Sequence, residues 1–194
     1  MKSKNFGFTM IELLIVIAVL GILATAVLSA INPIEQIDRG RDTGSRSDAE
    51  QLLSAIDRFY ASQGYYPWQT RSSDIANLPT VWGVVDKTTW TDGVTPVLTK
   101  LSASLTGEIK SSFVNRLTAN GYNTLYKYNR GTAGDSTYLC FLAKSGSFKT
   151  EANKRCSVTG LETGDPNGGG LPPDIDDTVK QTICVVVAPY VCLP

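Results

Sequence analysis

From Leu13 to Ile31 the chain runs nineteen residues without a charged side chain, and nearly all of them are Leu, Ile, Val, Ala or a small hydroxyl. That length can cross a bilayer as a helix. Extended back to Phe8 the run is 24 residues, or about 36 Å at 1.5 Å per residue, which exceeds a hydrocarbon core of roughly 30 Å. One acid, Glu12, stands near its start. A carboxylate among lipid tails is costly unless something compensates it. Either it is a helix-end acid that reaches the headgroups, or another chain supplies its charge partner. Everything from Asn32 onward reads as a polar globular domain.

A removed secretory signal is one reading of such an N-terminus. Lys2 and Lys4 provide the basic region, and Ala24-Thr25-Ala26 imitates a cleavage site. Two features oppose it: the apolar run continues past that site to Ile31, and Glu12 interrupts its beginning. Within the run, Gly21, Thr25 and Ser29 fall four apart on one helix face. Small residues on a face allow another helix close approach, although they are common in membrane helices in any case. Asn32-Pro33 then interrupts the pattern, because proline lacks an amide donor and disfavours helix before it.

The passage Lys4-Asn5-Phe6-Gly7-Phe8-Thr9-Met10-Ile11-Glu12-Leu13-Leu14-Ile15-Val16-Ile17 resembles the prepilin signature of type IV pilins and type II secretion pseudopilins. The resemblance implies a basic leader, residues 1–7, removed after Gly7 by a dedicated membrane peptidase that also methylates the new N-terminus, Phe8. Glu12 becomes the fifth residue of the mature chain and neutralises the exposed amine of a neighbouring subunit during assembly. It further implies a pilin-like α+β fold: a long helix, membrane-embedded over residues 8–31 and amphipathic over 32–62, packed on an antiparallel sheet in a head of residues 63–194. In related filaments the helix between such a glycine and such a proline melts on assembly, here Gly21 to Pro33. The implied partners are other copies of the chain, the prepilin peptidase, a membrane assembly platform and the bilayer. The alternatives are a pseudopilin or minor pilin serving secretion or DNA uptake, and, from a different class, a monomeric membrane-anchored adhesin. The last needs neither the Gly7-Phe8 junction nor Glu12.

Residues 38–48 alternate in sign and include Gly40 and Gly44. The spacing predicts weak i, i+4 support from Asp42 with Arg46 and Arg46 with Glu50, and a solvated charged face. An apolar helical stripe follows at Ala49, Leu52, Leu53, Ile56, Phe59 and Tyr60. A helix over about residues 9–62 is therefore expected to end at Gln63-Gly64. Residues 68–94 read as a loop. Thr95-Pro96 reads as a helix start, with threonine as cap and proline at the first helical position. Val97, Leu98, Leu101 and Leu105 form a short helix that Gly107 stops, and Ile109, Phe113 and Leu117 begin another. Strand-like runs follow at residues 122–130, 136–143 and 183–187.

Cys140, Cys156, Cys184 and Cys192 all follow the membrane segment. An even number in an extracytoplasmic context predicts two disulfides. Three pairings are open; Cys140 with Cys156 and Cys184 with Cys192 is favoured because each closes a short loop. The paired C-x₂₋₄-C spacing of a zinc site is absent. Asp165, Asn167, Asp174, Asp176 and Asp177 surround a Gly/Pro-rich loop. Oxygen ligands on such a backbone suit calcium, and an exposed acidic loop is the plainer alternative. No cofactor is required. Tyr122, Tyr126, Lys127, Tyr128 and Arg130 interleave aromatics with cations, as a single-strand nucleic-acid surface would. Packing of Tyr126 and Tyr128 on the long helix is the better reading, and no nucleic-acid partner is predicted.

Lys plus Arg number 18, Asp plus Glu 18, and there is no histidine. Loss of residues 1–7 would remove Lys2 and Lys4, leaving 16 bases against 18 acids. The balance gives no global basicity for gripping nucleic acid. Without histidine there is no Ser-His-Asp relay and no His-based zinc site. Gly134-Asp135-Ser136 therefore lacks a base and is assigned a turn. Catalysis is not expected.

Overall fold

A computed structural model describes residues 7–71, 80–103, 107–131, 135–157, 170–185 and 188–194. Along the chain these form α1 (Met10–Ala30), α2 (Pro33–Gln63), β1 (Thr80–Val84), α3 (Val97–Ser102), α4 (Ser111–Leu117), β2 (Leu125–Asn129), β3 (Tyr138–Leu142), α5 (Gly146–Cys156), α6 (Asp177–Ile183) and β4 (Tyr190–Leu193). Contacts divide the chain into two units, Met1–Ile37 and Asp38–Pro194.

The expected single helix over residues 9–62 is two helices. After α1, Ile31 is extended at φ −98°, ψ 124°. Pro33 then opens α2, where its missing donor is harmless. The Asn32 side-chain oxygen accepts from the Glu35 amide at 3.3 Å, which satisfies an otherwise orphaned donor of the new helix. The far end lies where the sequence placed it. Gly64 takes φ +78° and its amide donates to the Tyr60 carbonyl at 2.8 Å, a left-handed glycine stop.

In the second unit the strands form one antiparallel sheet in the order β1-β2-β3-β4. Alternation along the strands separates two core clusters. Leu125, Leu139, Phe141 and Val191 belong with the α2 stripe of Ala49, Leu52, Ile56 and Phe59, joined by Val97, Leu98 and Leu101 of α3 and by Phe148 and Ala152 of α5. Tyr128, Tyr138, Cys140 and Cys192 belong with Ile175, Val179 and Ile183 on the opposite face. The fold is α+β, with a helix covering each face of the sheet.

Several local expectations are corrected. The strand expected over residues 183–187 is not there: Ile183 closes α6, and residues 186–187 lie outside the described residues. Val179 and Ile183 are four apart, one helical face, so burial of that face outweighs the β-branched run; the strand comes later, at β4. The stretch 68–94 contains β1, and α5 was not anticipated. Pro96, not Thr95, is the N-cap of α3, at φ −61°, ψ 137° without a side-chain cap bond. Thr95 instead donates its amide to Asp92 Oδ1 at 2.6 Å. Tyr126 and Tyr128 face away from α2, because register places Leu125 and Lys127 on the α2 side. Leu105 and Gly134 lie outside the described residues.

Candidate assembly site

The N-terminal end of α1 is closed by a capping box, a reciprocal pair that the sequence spacing permits. Thr9 is extended, and its hydroxyl accepts from the Glu12 amide at 3.3 Å. In return the Thr9 amide donates to Glu12 Oε2 at 2.8 Å, and the Thr9 hydroxyl donates to the same oxygen at 2.7 Å. Glu12 therefore has a partner within its own helix, beside the positive end of the helix dipole. Phe8, immediately before the box, is 85% exposed.

Beyond Glu12, α1 presents only apolar and small residues. Over Met10–Ser29 the mean hydropathy is 2.8, and none of that span is buried. The Thr25 hydroxyl donates to the Ile22 carbonyl at 2.8 Å and the Ser29 hydroxyl to the Thr25 carbonyl at 2.9 Å. The only hydroxyls beyond the cap are thus satisfied by their own backbone. A β-carbon added at Gly21 would meet nothing within 4 Å, so the Gly21, Thr25 and Ser29 face stands open.

On α2 the expected solvated charge run holds for Arg39 and Arg41, which are exposed, but Asp42, Ser45 and Asp48 form a buried polar seam. Asp42 is fully buried; it accepts from the Ser145 amide and hydroxyl, each at 2.8 Å, and from the Lys144 amide at 3.1 Å. Ser145 is in turn the N-cap of α5. Ser45 donates to the Arg41 carbonyl at 3.0 Å and accepts from Asn123 Nδ2 at 2.8 Å. Asp48 accepts from Arg116 at 2.5 Å and from the Tyr122 hydroxyl. Burial first, and then that bond to Asp48, raise the Tyr122 hydroxyl above its ordinary pKa. Arg46 bonds Glu151 and lies over the Phe148 ring, 4.8 Å from its centroid, so the expected local pairs of Asp42 with Arg46 and Arg46 with Glu50 give way to contacts with α5. Hydropathy alone hid the seam. Positions 42, 45, 49, 52, 56 and 59 are spaced three and four apart, so geometry extends the apolar stripe to residues whose polarity disguised it.

The family described as the prokaryotic N-terminal methylation motif matches residues 2–28. The chain is 31% identical to the type IV major fimbrial protein FimA of Dichelobacter nodosus, over 70% of this chain and 74% of that protein. The chain belongs to the type IV pilin family. It is also 32% identical to the type IV major pilin protein PilE1 of Neisseria gonorrhoeae, over 57% of this chain and 66% of that protein. A third relative, the fimbrial protein EcpC of Eikenella corrodens, is 28% identical over 72% of this chain and 90% of its own length. The neisserial matches span just under two thirds of those pilins. No solved structure matches the chain.

The pilin head carries two disulfides, with pairing that corrects the favoured local one. Cys140 bonds Cys192 and Cys156 bonds Cys184, so the bridges are nested, with sequence separations of 52 and 28. Sheet register decides this. Cys140 and Cys192 stand directly opposite across β3 and β4. Cys156 ends α5 and Cys184 caps α6, so both remain on the outer side of the sheet.

Of the acidic loop, Asp165 and Asn167 lie outside the described residues. Asp174 accepts from the Tyr138 hydroxyl at 2.7 Å and the Ser136 amide at 3.0 Å; Asp176 is the N-cap of α6; Asp177 pairs with Lys180 at 3.3 Å. No group of three metal-ligating side chains is assembled among the described residues. The aromatic and basic strand residues are divided between the two faces of the sheet. Lys127 points inward, 5.8 Å from the Trp90 ring centroid, and burial lowers its pKa. Tyr126 stacks with Trp82 on the outer face, their centroids 5.4 Å apart.

Proposed function

We propose that this pilin is the structural subunit of a type IV pilus-like filament. Its leader is removed after Gly7, Phe8 becomes the methylated N-terminus, and α1 holds the subunit in the cytoplasmic membrane with the head outside. An assembly platform then draws subunits into a filament whose core is built from α1 helices of many copies. The observation that carries this reading is α1 itself, a helix without a buried residue over Met10–Ser29 that carries one carboxylate, at its N-terminal turn. Such a surface is satisfied by lipid and, after extraction, by other helices of the same kind.

Glu12 has a defined part in that exchange. Leader removal creates a cationic amine at Phe8, and a carboxylate from an adjacent copy neutralises it in an apolar setting where an unmatched charge is strongly disfavoured. In the isolated helix Thr9 holds that carboxylate in place. The role is structural; no cofactor is required and no catalytic step is assigned.

Mass spectrometry of the mature chain, together with electron microscopy of surface filaments, tests the proposal. N-methylated Phe8 in a filament subunit is the expected result. An intact Met1, or cleavage near Ala26, would overturn it.

A further inference from the structure

The chain has no net charge, but its cations are unevenly placed. Residues 38–47 and 144–155, brought together where α2 meets α5, hold seven cations and three carboxylates, so the rest of the chain carries the opposite excess of four. Asp42 is buried and faces backbone amides rather than water. Glu151 is shared by two guanidinium groups, those of Arg46 and Arg155. Arg39 joins the same edge through its Nε, which donates to the Ser147 hydroxyl at 3.2 Å. Arg41, with a side chain 61% exposed, and the exposed Lys154 extend this belt.

The covalent chain limits where the belt can be. Ile31 closes the apolar run, two residues lead to Pro33, and six helical residues lead to Arg39. At about 3.5 Å per extended residue and 1.5 Å per helical residue, Arg39 lies no more than about 16 Å along the chain from Ile31. That bound holds whatever the arrangement of the two units. Other candidate anions fit less well. Four carboxylates elsewhere on the head already have cations: Asp48 with Arg116, Asp92 with Lys100, Glu108 with Arg58 and Asp135 with Arg130. A second copy brings further acids, but no tether holds them within reach of the belt as the apolar run holds a leaflet. The one aromatic ring in the belt, Phe148, is buried beneath Arg46, which leaves no stacking platform for nucleic acid.

We propose that this basic belt binds anionic phospholipid headgroups and holds the head against the extracytoplasmic leaflet until the subunit is drawn into a filament. The inference rests on the membrane-anchored reading above. Each basic side chain near an anionic leaflet strengthens association by about fivefold, and screening limits the effect to within roughly 8 Å at physiological salt.

The test uses the full chain in lipid nanodiscs, with gadolinium attached to a small fraction of headgroups and relaxation of backbone amides measured by NMR. In discs with 30% phosphatidylglycerol, amides of residues 38–47 and 144–155 should relax faster than in pure phosphatidylcholine, and 0.5 M salt should remove the difference. Arg41→Gln with Lys154→Gln should lower the ratio of docked to free heads by roughly thirtyfold at low salt; unchanged chemical shifts in β2 and β3 would establish that the variant is folded. Equal relaxation in both lipids, an effect centred on α6, or one that follows the number of copies per disc and not lipid charge would overturn the proposal; the last would assign the belt to a second copy. Failure of the filament reading is separate, since it is read from the Phe8 terminus. A methylated Phe8 with no lipid effect removes this inference alone.

Discussion

Replacing Asp42 by alanine should destabilise the head more than any other single change to a charged side chain in the first half of α2. The carboxylate is fully buried and takes three donors: the Ser145 amide and hydroxyl at 2.8 Å and the Lys144 amide at 3.1 Å. Hydrogen bonds to a charged group contribute about 1.5–3 kcal/mol each, and a buried donor left without a partner costs about 1–3 kcal/mol. Because the three share one acceptor and water can re-satisfy part of the gap, the sum is not additive; about 3–5 kcal/mol is expected. A typical domain has only about 5–15 kcal/mol in total. Ser145, which aims its hydroxyl at Asp42, also caps α5, so the damage should spread to that helix. Urea unfolding of the full chain in detergent micelles, followed by fluorescence of buried Trp68 and Trp90, reads this as a midpoint lower by about 2 M for a slope near 2 kcal/mol per molar. Asp38→Ala is the control, because Asp38 makes only a surface pair with Arg41 at 3.6 Å and should change stability by about 0.5 kcal/mol or less. Equal effects from the two variants, or an Asp42→Ala loss below about 1 kcal/mol, would refute the seam as an energetic feature.

Glu12→Gln separates the two roles of that residue: the amide oxygen can still accept from Thr9, while the charge is gone. Normal membrane insertion without filaments is expected, and normal filaments would reduce Glu12 to a helix cap. Non-reducing proteolysis should yield Cys140–Cys192 and Cys156–Cys184 peptides; each bridge alone contributes about 3.5–4 kcal/mol in the chain-entropy treatment, and because the loops are nested, loss of both should cost less than the sum. Partial burial pushes the Asp86 carboxyl up, but bonds from the Thr89 hydroxyl and amide and the Thr88 amide outweigh it and hold its pKa at about 2, against an ordinary 3.8. A depressed carboxylate stabilises the fold above its unfolded pKa, so this contribution should be complete above about pH 4 and fade as pH falls toward 2. Asp86→Asn should flatten the dependence of the urea midpoint over that window; an unchanged slope would remove Asp86 from acid sensitivity.

The parts legible in the sequence are those where one period or one covalent limit dominates. The charge-free run, the stripe from Ala49 to Phe59 and the glycine stop at Gly64 follow from helical spacing alone. Reading spacing through hydropathy missed Asp42, Ser45 and Asp48, since a buried polar residue is recognisable only once its donors are known, and those lie about 70 to 100 residues away. α5 escaped notice for a related reason: its core-facing positions are Phe148, Ala152 and Cys156, too sparse a stripe to stand out among lysines and hydroxyls. Disulfide pairing was misjudged because loop length ignores register. Cys140 and Cys192 become neighbours only when β3 and β4 align.

The seam also bears on the helix stretch expected to melt, Gly21 to Pro33. Among the described residues Asp42 is the first buried one, nine positions beyond Pro33. Helical bonds before it are supported by no tertiary burial, and a helix without such support is marginal in water. Extending the ten helical residues from Gly21 to Ala30 from 1.5 to about 3.3 Å each lengthens that link by roughly 18 Å without disturbing a buried contact of the head. Farther along, extension meets Asp42, where each further step would strand the amides of Lys144 and Ser145. If that stretch melts on assembly, the seam would be its stop, and Asp42→Ala should let the loss of helix run on toward the next buried contacts, at Ser45 and Asp48.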